Sequence, residues 1–228
     1  MLRKGDLTQG GIITTLLQFT LPMLAGSLLQ QCYNIADTLI VGQCIGANAL
    51  AAVGSAYTLM VFLISILLGL SMGSGTVFSL QYGAGDLSAL RRSIYVSLLL
   101  IGTVTILLNV AVFLWLDPIL RWLQVPYDIY SLMRNYLWII FWGIVFTFLY
   151  NFYAALLRAV GDSVTPLWFL AVSVVLNIGL DLFLILVLDQ GIEGAAVATV
   201  IAQGTAASGI LLYTYKTRPE LRLHREDM

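Results

Sequence analysis

Two aspartates interrupt long uncharged stretches of this sequence, where a charged side chain is least expected. Asp37 follows the uncharged residues 7–36, and Asp181 follows the uncharged residues 163–180. An ionised aspartate at the centre of a bilayer costs at least about 2.5–3.5 kcal/mol on insertion scales, so such residues usually have a function. A carboxylate can take up a proton or bind a hard cation such as sodium, and this chemistry is typical of ion coupling.

Composition explains why these aspartates are informative. The chain has 228 residues, of which 60% are hydrophobic and 10% are charged, and its mean hydropathy is +0.93. Soluble domains have about 45–50% apolar and about 25% charged residues. These values exclude a water-soluble enzyme, a disordered chain and a nucleic-acid-binding protein with a basic face. We predict an all-α integral membrane protein.

The uncharged stretches locate the membrane spans. One span needs about 20 apolar residues, so the uncharged stretch 38–85 must contain a break, which we place at the turn-forming residues 42–48. A short amphipathic segment, Pro118–Gln124, is predicted to lie at the membrane interface. Residues 1–215 are therefore predicted to form six transmembrane helices, at about 12–42, 49–82, 88–114, 128–157, 164–188 and 194–215.

The basic residues predict the orientation of these helices. Nine of the eleven Lys and Arg residues fall on the side of the membrane that holds both termini: Arg3, Lys4, Arg91, Arg92, Arg158, Lys216, Arg218, Arg222 and Arg225. Only Arg121 and Arg134 fall on the other side. Because basic residues are enriched in cytoplasmic loops, both termini are predicted to be cytoplasmic.

This topology brings further polar side chains to the depth of the two aspartates, in the outer half of the membrane. Asn177 precedes Asp181 by four residues and shares its helix face. Tyr136 and Thr199 lie in helices that run inward, each about one-third of the way along. The set supplies carboxylate, amide and hydroxyl oxygens, so we predict one proton or sodium site formed by Asp37, Tyr136, Asn177, Asp181 and Thr199.

Simpler roles exist for some of these features. Each aspartate could instead form a hydrogen bond that only fixes helix packing. The Gly-Asp pairs at 85–86 and 161–162 are predicted to end one helix and to cap the next. Pro22 lies inside the first helix, where its missing N–H should produce a kink.

The order and spacing of several segments resemble the N-terminal half of a multidrug and toxic compound extrusion (MATE) transporter. No single motif is specific, but together they span nearly the whole chain. The resemblance is carried by Pro22-Met23 and by the segments 37–42, 49–54, 83–86, 157–162, 177–181 and 191–199.

The resemblance implies one six-helix lobe of a twelve-helix, two-lobe transporter. Such transporters export amphipathic, often cationic compounds in exchange for protons or sodium, without an organic cofactor. Asp37, Asn177 and Asp181 match the family's cation-site residues, and Tyr136 and Thr199 fit its fourth and sixth helices. The family's first-helix proline, associated with bending on protonation, corresponds to Pro22.

The resemblance also implies partners and a location. These partners are small amphipathic substrates, membrane lipids and a second six-helix lobe, which is either a missing half or a second copy. Residues 216–228 are then a cytoplasmic tail or the start of an inter-lobe linker. The expected location is a plasma membrane, as in a bacterial inner membrane, and we expect no transport by this chain alone.

Three alternatives to efflux follow from the same residues. A lipid-linked oligosaccharide flippase of the same superfamily would favour a cationic cavity, and no Lys or Arg lies deep in a predicted span. A membrane scaffold would tolerate the loss of both aspartates. An enzyme is not expected, because the sequence offers no pair of catalytic carboxylates predicted to face each other.

Overall fold

The computed structural model describes residues 12–223, and all regular secondary structure in that range is helical. Two shorter elements accompany the α-helices: a π-helical turn, Phe183–Val187, directly after the helix that ends at Leu182, and a 3-10 helix, Pro219–Leu221, after the helix that ends at Thr217. The α-helices are α1 (Ile12–Cys44), α2 (Ala47–Gly83), α3 (Leu87–Trp122), α4 (Tyr127–Trp142), α5 (Ile144–Ala159), α6 (Val164–Leu182) and α7 (Gly191–Thr217).

Six membrane spans can be formed from these helices. Helices α1, α2, α3 and α7 are each long and apolar enough to cross a bilayer, as is α6 together with its π-helical turn. Helices α4 and α5 pass the same test only as a pair, bent by 46° at their junction. The predicted all-α membrane fold is confirmed. Arg3, Lys4 and Arg225, which contributed to the predicted orientation, lie outside the described residues.

The predicted fourth helix, 128–157, was wrong as a single straight element, because it breaks at Gly143. A methyl group at Gly143 would lie 2.8 Å from Gln203 Oε1, so a larger residue here would force Gln203 of α7 to shift. Asn109 Nδ2 donates to the carbonyl of Phe141 at 3.0 Å, and Thr147 Oγ1 donates to Gln203 Oε1 at 3.0 Å. Side chains of α3 and α7 thus supply polar partners around the break.

The third helix differs from the prediction at its far end. The predicted boundary at residue 114 marks a kink rather than an end, because Trp115 has non-helical angles (φ −112°, ψ 16°) and the helix continues to Trp122. The segment 118–124, predicted to be separate, therefore forms the last turns of α3 and its exit. Arg134 of α4 holds this end through an ion pair with Asp117, at 2.8 Å.

The predicted helix caps are confirmed at both Gly-Asp pairs. Asp86 accepts a hydrogen bond from the Ala89 N–H at 2.9 Å, and Asp162 accepts one from the Thr165 N–H at 3.0 Å. The glycine before each aspartate has a positive φ, 74° and 86°, which glycine adopts without strain. The spans that end with α2 and with α5 therefore terminate in the same way.

Helix α7 lies at the centre of the bundle, against α4, α5 and α6, while α1 packs on α6 and α2. Buried alanines line α7, including Ala195, Ala198 and Ala202. Small side chains let neighbouring backbones approach closely in a membrane. Helix α1 is far less enclosed: from Ile13 to Cys44, only Asp37 and Val41 are buried.

Candidate functional site

The carboxyl groups of Asp37 and Asp181 face each other inside the bundle. Asp37 reaches inward from α1 and is 7% exposed, and Asp181, near the end of α6, is fully buried. The two carboxyl groups are close enough to interact with each other. Two adjacent buried carboxylates cannot both ionise at low cost, so a shared proton or a bound cation is the arrangement that stabilises them.

Asn177 joins Asp181 to α7. One turn before Asp181 on α6, it is also fully buried. In the amide orientation that satisfies both of its polar atoms, its nitrogen donates to Asp181 Oδ2 at 3.0 Å and its oxygen accepts from the Thr199 N–H at 3.3 Å. Asn177 thus fixes one oxygen of Asp181 and leaves the other for a ligand.

Thr199 is the contribution of α7 to this cluster, and it has a partner that the sequence analysis missed. The Tyr33 hydroxyl donates to Thr199 Oγ1 at 3.2 Å. Tyr33 lies one turn before Asp37, so the two residues share a face of α1. That spacing was a signal available in the sequence. The neighbouring Asn34 instead donates to Gln31 on the same helix at 3.1 Å.

Tyr136 closes the cluster from α4. Its side chain is 3% exposed and lies within electrostatic range of Asp37, Asp181 and Tyr33. The structure therefore brings together all five residues selected from the sequence, from the four helices α1, α4, α6 and α7. Pro22 is not among them, because it lies fifteen residues before Asp37 on α1, about 22 Å away at helical rise.

Two oxygens of this cluster lack protein partners. Asp37 Oδ1 and Asp181 Oδ1 are buried and accept no hydrogen bond from any residue in 12–223. A buried polar atom without a partner costs about 1–3 kcal/mol, so a proton or a cation at this point would relieve that cost. The donor set of two carboxylates, an amide and hydroxyl groups suits a proton or a hard cation such as sodium.

The MatE family profile matches residues 22–183, which is more than half of the chain and includes both Asp37 and Asp181. This chain belongs to the MatE family. It is a multi-pass membrane protein of a family of transporters rather than of enzymes. The expectation that it is not an enzyme is thus confirmed.

Three similar proteins illustrate this membership in the MatE family. The probable multidrug resistance protein YpnP of Bacillus subtilis is 37% identical over 211 residues, which cover 92% of this chain and 47% of YpnP. The multidrug export protein MepA of Staphylococcus aureus is 31% identical over 213 residues, or 90% of this chain and 46% of MepA. A crystal structure of the Vibrio cholerae MATE transporter VcmN in the bent form is 28% identical with a TM-score of 0.85, covering 93% of this chain and 48% of VcmN. The chain spans about half the length of the relatives that it matches.

Proposed function

We propose that this MatE chain is one six-helix lobe of an exporter that moves amphipathic, often cationic compounds across the membrane in exchange for protons or sodium. The observation that carries the proposal is the buried pair Asp37 and Asp181, whose free oxygens face a cluster with no basic partner. The names of the relatives YpnP and MepA, which refer to multidrug resistance and multidrug export, support the substrate class.

The proposed coupling ion binds among Asp37, Asp181, Asn177 and Thr199, with Tyr136 covering the site. An ion can shift a conformational equilibrium only if it binds one state more tightly than the other. Asp37 provides that difference, because it reaches the site from α1, whose other side chains are mostly exposed. Binding at Asp37 draws α1 against α6 and α7, and release frees it. In this proposal α1 bends at Pro22, where a backbone hydrogen bond is missing.

The substrate pathway requires a second six-helix lobe. Alternating access in transporters of this kind uses two bundles that rock about a central site. The half-length coverage of the relatives and the exposed apolar surface of α1, which includes Leu21, Leu24 and Leu28, support a partner lobe beside this one. We propose a bacterial inner membrane as the location, with both termini in the cytoplasm and residues 216–228 as a tail or the start of the linker.

Ion binding by the purified chain tests the proposal. Sodium binding is measured with a radioactive tracer, and protonation is followed by the infrared absorption of protonated carboxyl groups during a pH change. Asp37→Asn and Asp181→Asn should each abolish the sodium signal or remove a protonated-carboxyl signal, because an amide can neither ionise nor release a proton. Asp128→Asn, at an exposed aspartate in the first turn of α4, is the matched control and should leave sodium binding and the carboxyl signals of Asp37 and Asp181 unchanged.

The two readouts separate the possible results. Loss of sodium binding supports sodium coupling, and loss of a protonated-carboxyl signal without any sodium binding supports proton coupling. If Asp37→Asn and Asp181→Asn both behave like the wild type in both measurements, the two aspartates only fix helix packing, and the scaffold interpretation replaces the proposal.

A further inference from the structure

A second polar site lies near the start of α7 and shares no lining residue with the aspartate cluster. A cavity of about 320 Å³ lies between α4 and the start of α7, lined by Arg134, Asn135, Trp138, Ile139 and Glu193. Small-molecule sites have volumes of about 300–1,000 Å³ and combine apolar walls with a few polar groups. This cavity is thus large enough for a compact organic group.

Glu193 is the carboxylate that lines this cavity. Arg134, which also lines it, is paired with Asp117, with contacts of 2.8 Å and 3.3 Å between the guanidinium and the two carboxylate oxygens. Glu193 accepts a hydrogen bond from Asn135 Nδ2 at 2.9 Å, but it forms no ion pair with a basic residue in 12–223. A cationic ligand would complement this carboxylate.

An aromatic side chain accompanies this carboxylate. Trp138 lies one turn along α4 from Asn135, is 42% exposed, and packs edge-on against Phe113 with 4.8 Å between ring centroids. Packing against Phe113 holds the indole in place. Tryptophan attracts cations through the negative face of its ring, and an aromatic side chain beside a carboxylate is suited to an ammonium group.

The cavity lies near the end of the bundle that carries exposed aromatic residues. Trp122 is 84% exposed and Tyr127 is 99% exposed, on either side of the turn between α3 and α4. Such aromatic residues commonly lie at the level of the lipid headgroups. Glu193 is in the first turn of α7, at the same end of the bundle. A ligand at this level can present its charged group to the cavity and keep apolar chains in the bilayer.

From these observations we infer that Glu193, Asn135 and Trp138 form a binding site for an ammonium group attached to apolar chains. This chemistry has two sources, an ammonium-bearing lipid headgroup and a compound of the proposed substrate class. Only the second source rests on the proposed export function. The site itself is separate from Asp37 and Asp181, so its test is independent of ion coupling.

The experiment uses residues 1–228 purified into lipid nanodiscs. In one arm, tetrapropylammonium binding is measured by calorimetry. In the other, native mass spectrometry counts the phosphatidylethanolamine molecules retained from nanodiscs that contain equal amounts of phosphatidylethanolamine and phosphatidylglycerol. Glu193→Gln should weaken binding about tenfold, because it removes the charge but keeps an acceptor for Asn135. Trp138→Leu should weaken it as well, and Asp128→Asn, which removes a charge at the same end outside the cavity, should not.

Each result has one meaning for the site. An effect of Glu193→Gln on tetrapropylammonium alone identifies a soluble organic cation as the ligand, and an effect on phosphatidylethanolamine alone identifies a lipid headgroup. An effect on both supports a shared ammonium site. If the wild type binds neither probe, or if Glu193→Gln changes neither measurement, the inference is wrong, and this remains true whatever the Asp37 and Asp181 variants do.

Discussion

The Tyr33 hydroxyl donates a hydrogen bond to Thr199 Oγ1 at 3.2 Å and so ties α1 to α7 across 166 residues of sequence. Helices α1 and α7 otherwise have few contacts. Asp37 lies one turn further along α1, so this bond helps to hold the first aspartate beside the second. The proposed ion site therefore depends on a hydrogen bond between two hydroxyl groups as well as on its carboxylates.

Removal of the Tyr33 hydroxyl should weaken both the fold and the ion site. Tyr33→Phe is expected to lower the free energy of unfolding in detergent by about 0.5–1.5 kcal/mol, the net value of one hydrogen bond. It should also lower ion affinity, because the ligands from α1 are less preorganised. Tyr57→Phe is the control, since Tyr57 is exposed on α2. Equal effects of the two substitutions would contradict the role of the hydrogen bond.

The close packing at the α4–α5 junction makes a second prediction. A Cβ at Gly143 would lie 2.8 Å from Gln203 Oε1 and 3.0 Å from the carbonyl oxygen of Ile140. Gly143→Ala should therefore destabilise the fold by about 1–3 kcal/mol through overpacking. Gly179→Ala is the matched control, because nothing lies within 4 Å of its added methyl group. There the substitution should be neutral or should stabilise α6.

Thermal unfolding in detergent measures both glycine variants. A second substitution, Gln203→Ala, should recover part of the stability lost in Gly143→Ala, since it removes the nearest clashing atom. If Gly143→Ala and Gly179→Ala have the same midpoint, the junction does not require glycine.

The polar cluster could be predicted from sequence because the depth of a residue in the membrane increases nearly in proportion to its position along a spanning helix. Helical rise and alternating direction are enough to place Asp37, Asn177, Asp181, Tyr136 and Thr199 in one layer. The break at Gly143 could not be predicted in this way. It depends on Gln203 and Asn109, which come from α7 and α3, and a single glycine within an apolar stretch does not by itself end a helix.

Tyr33 was missed for a different reason. A tyrosine within an apolar helix is more often a packing residue, so its type did not indicate a role in the cluster. Whether Asp37 and Asp181 face each other also depends on how α1 and α6 are rotated about their own axes, because that rotation sets the direction of each side chain. Equal depth makes that contact possible but does not dictate it.

The orientation of the bundle is a third prediction. Reporter fusions after Met228 and within residues 123–126, between α3 and α4, should report opposite sides of the membrane, with the C-terminal fusion in the cytoplasm. The physical reason is the excess of Lys and Arg on the side of the termini. Reports from the same side would contradict the count of six spans, and a cytoplasmic report from 123–126 alone would reverse the orientation.

The segment 218–222, which follows α7, is held against the bundle by ion pairs and by a buried leucine, and this packing gives a fourth prediction. Arg218 lies 3.5 Å from Asp162 and 3.6 Å from Glu220, and Arg91 Nε donates to the carbonyl of Glu220 at 3.0 Å. Leu221 is only 5% exposed and belongs to the main hydrophobic core. A linker that began here would be mechanically joined to α3 and to the turn between α5 and α6.

Loss of the Arg218 charge should loosen this segment locally. Arg218→Gln is expected to speed hydrogen exchange at the amides of Leu221 and Arg222, whereas the unfolding temperature stays nearly constant because a partly exposed ion pair contributes at most about 1 kcal/mol. Lys216→Gln, which removes an equal charge two residues earlier, should leave exchange unchanged. Equal exchange in the two variants would show that the Arg218 ion pairs do not hold the segment.

The last prediction concerns transport by the lobe itself. Residues 1–228 in proteoliposomes, with a proton or sodium gradient and a fluorescent organic cation, should show no gradient-dependent uptake or efflux. Alternating access needs two bundles around a central cavity, and the largely exposed α1 leaves one side of this bundle without a partner. Ion binding should nevertheless persist, because all the residues of the polar cluster come from this lobe. The control is therefore sodium or proton binding by the same preparation, which shows that the protein is folded. Gradient-dependent transport by a preparation whose measured mass is that of a monomer would contradict the prediction, while transport by a dimer would identify a second copy as the partner lobe.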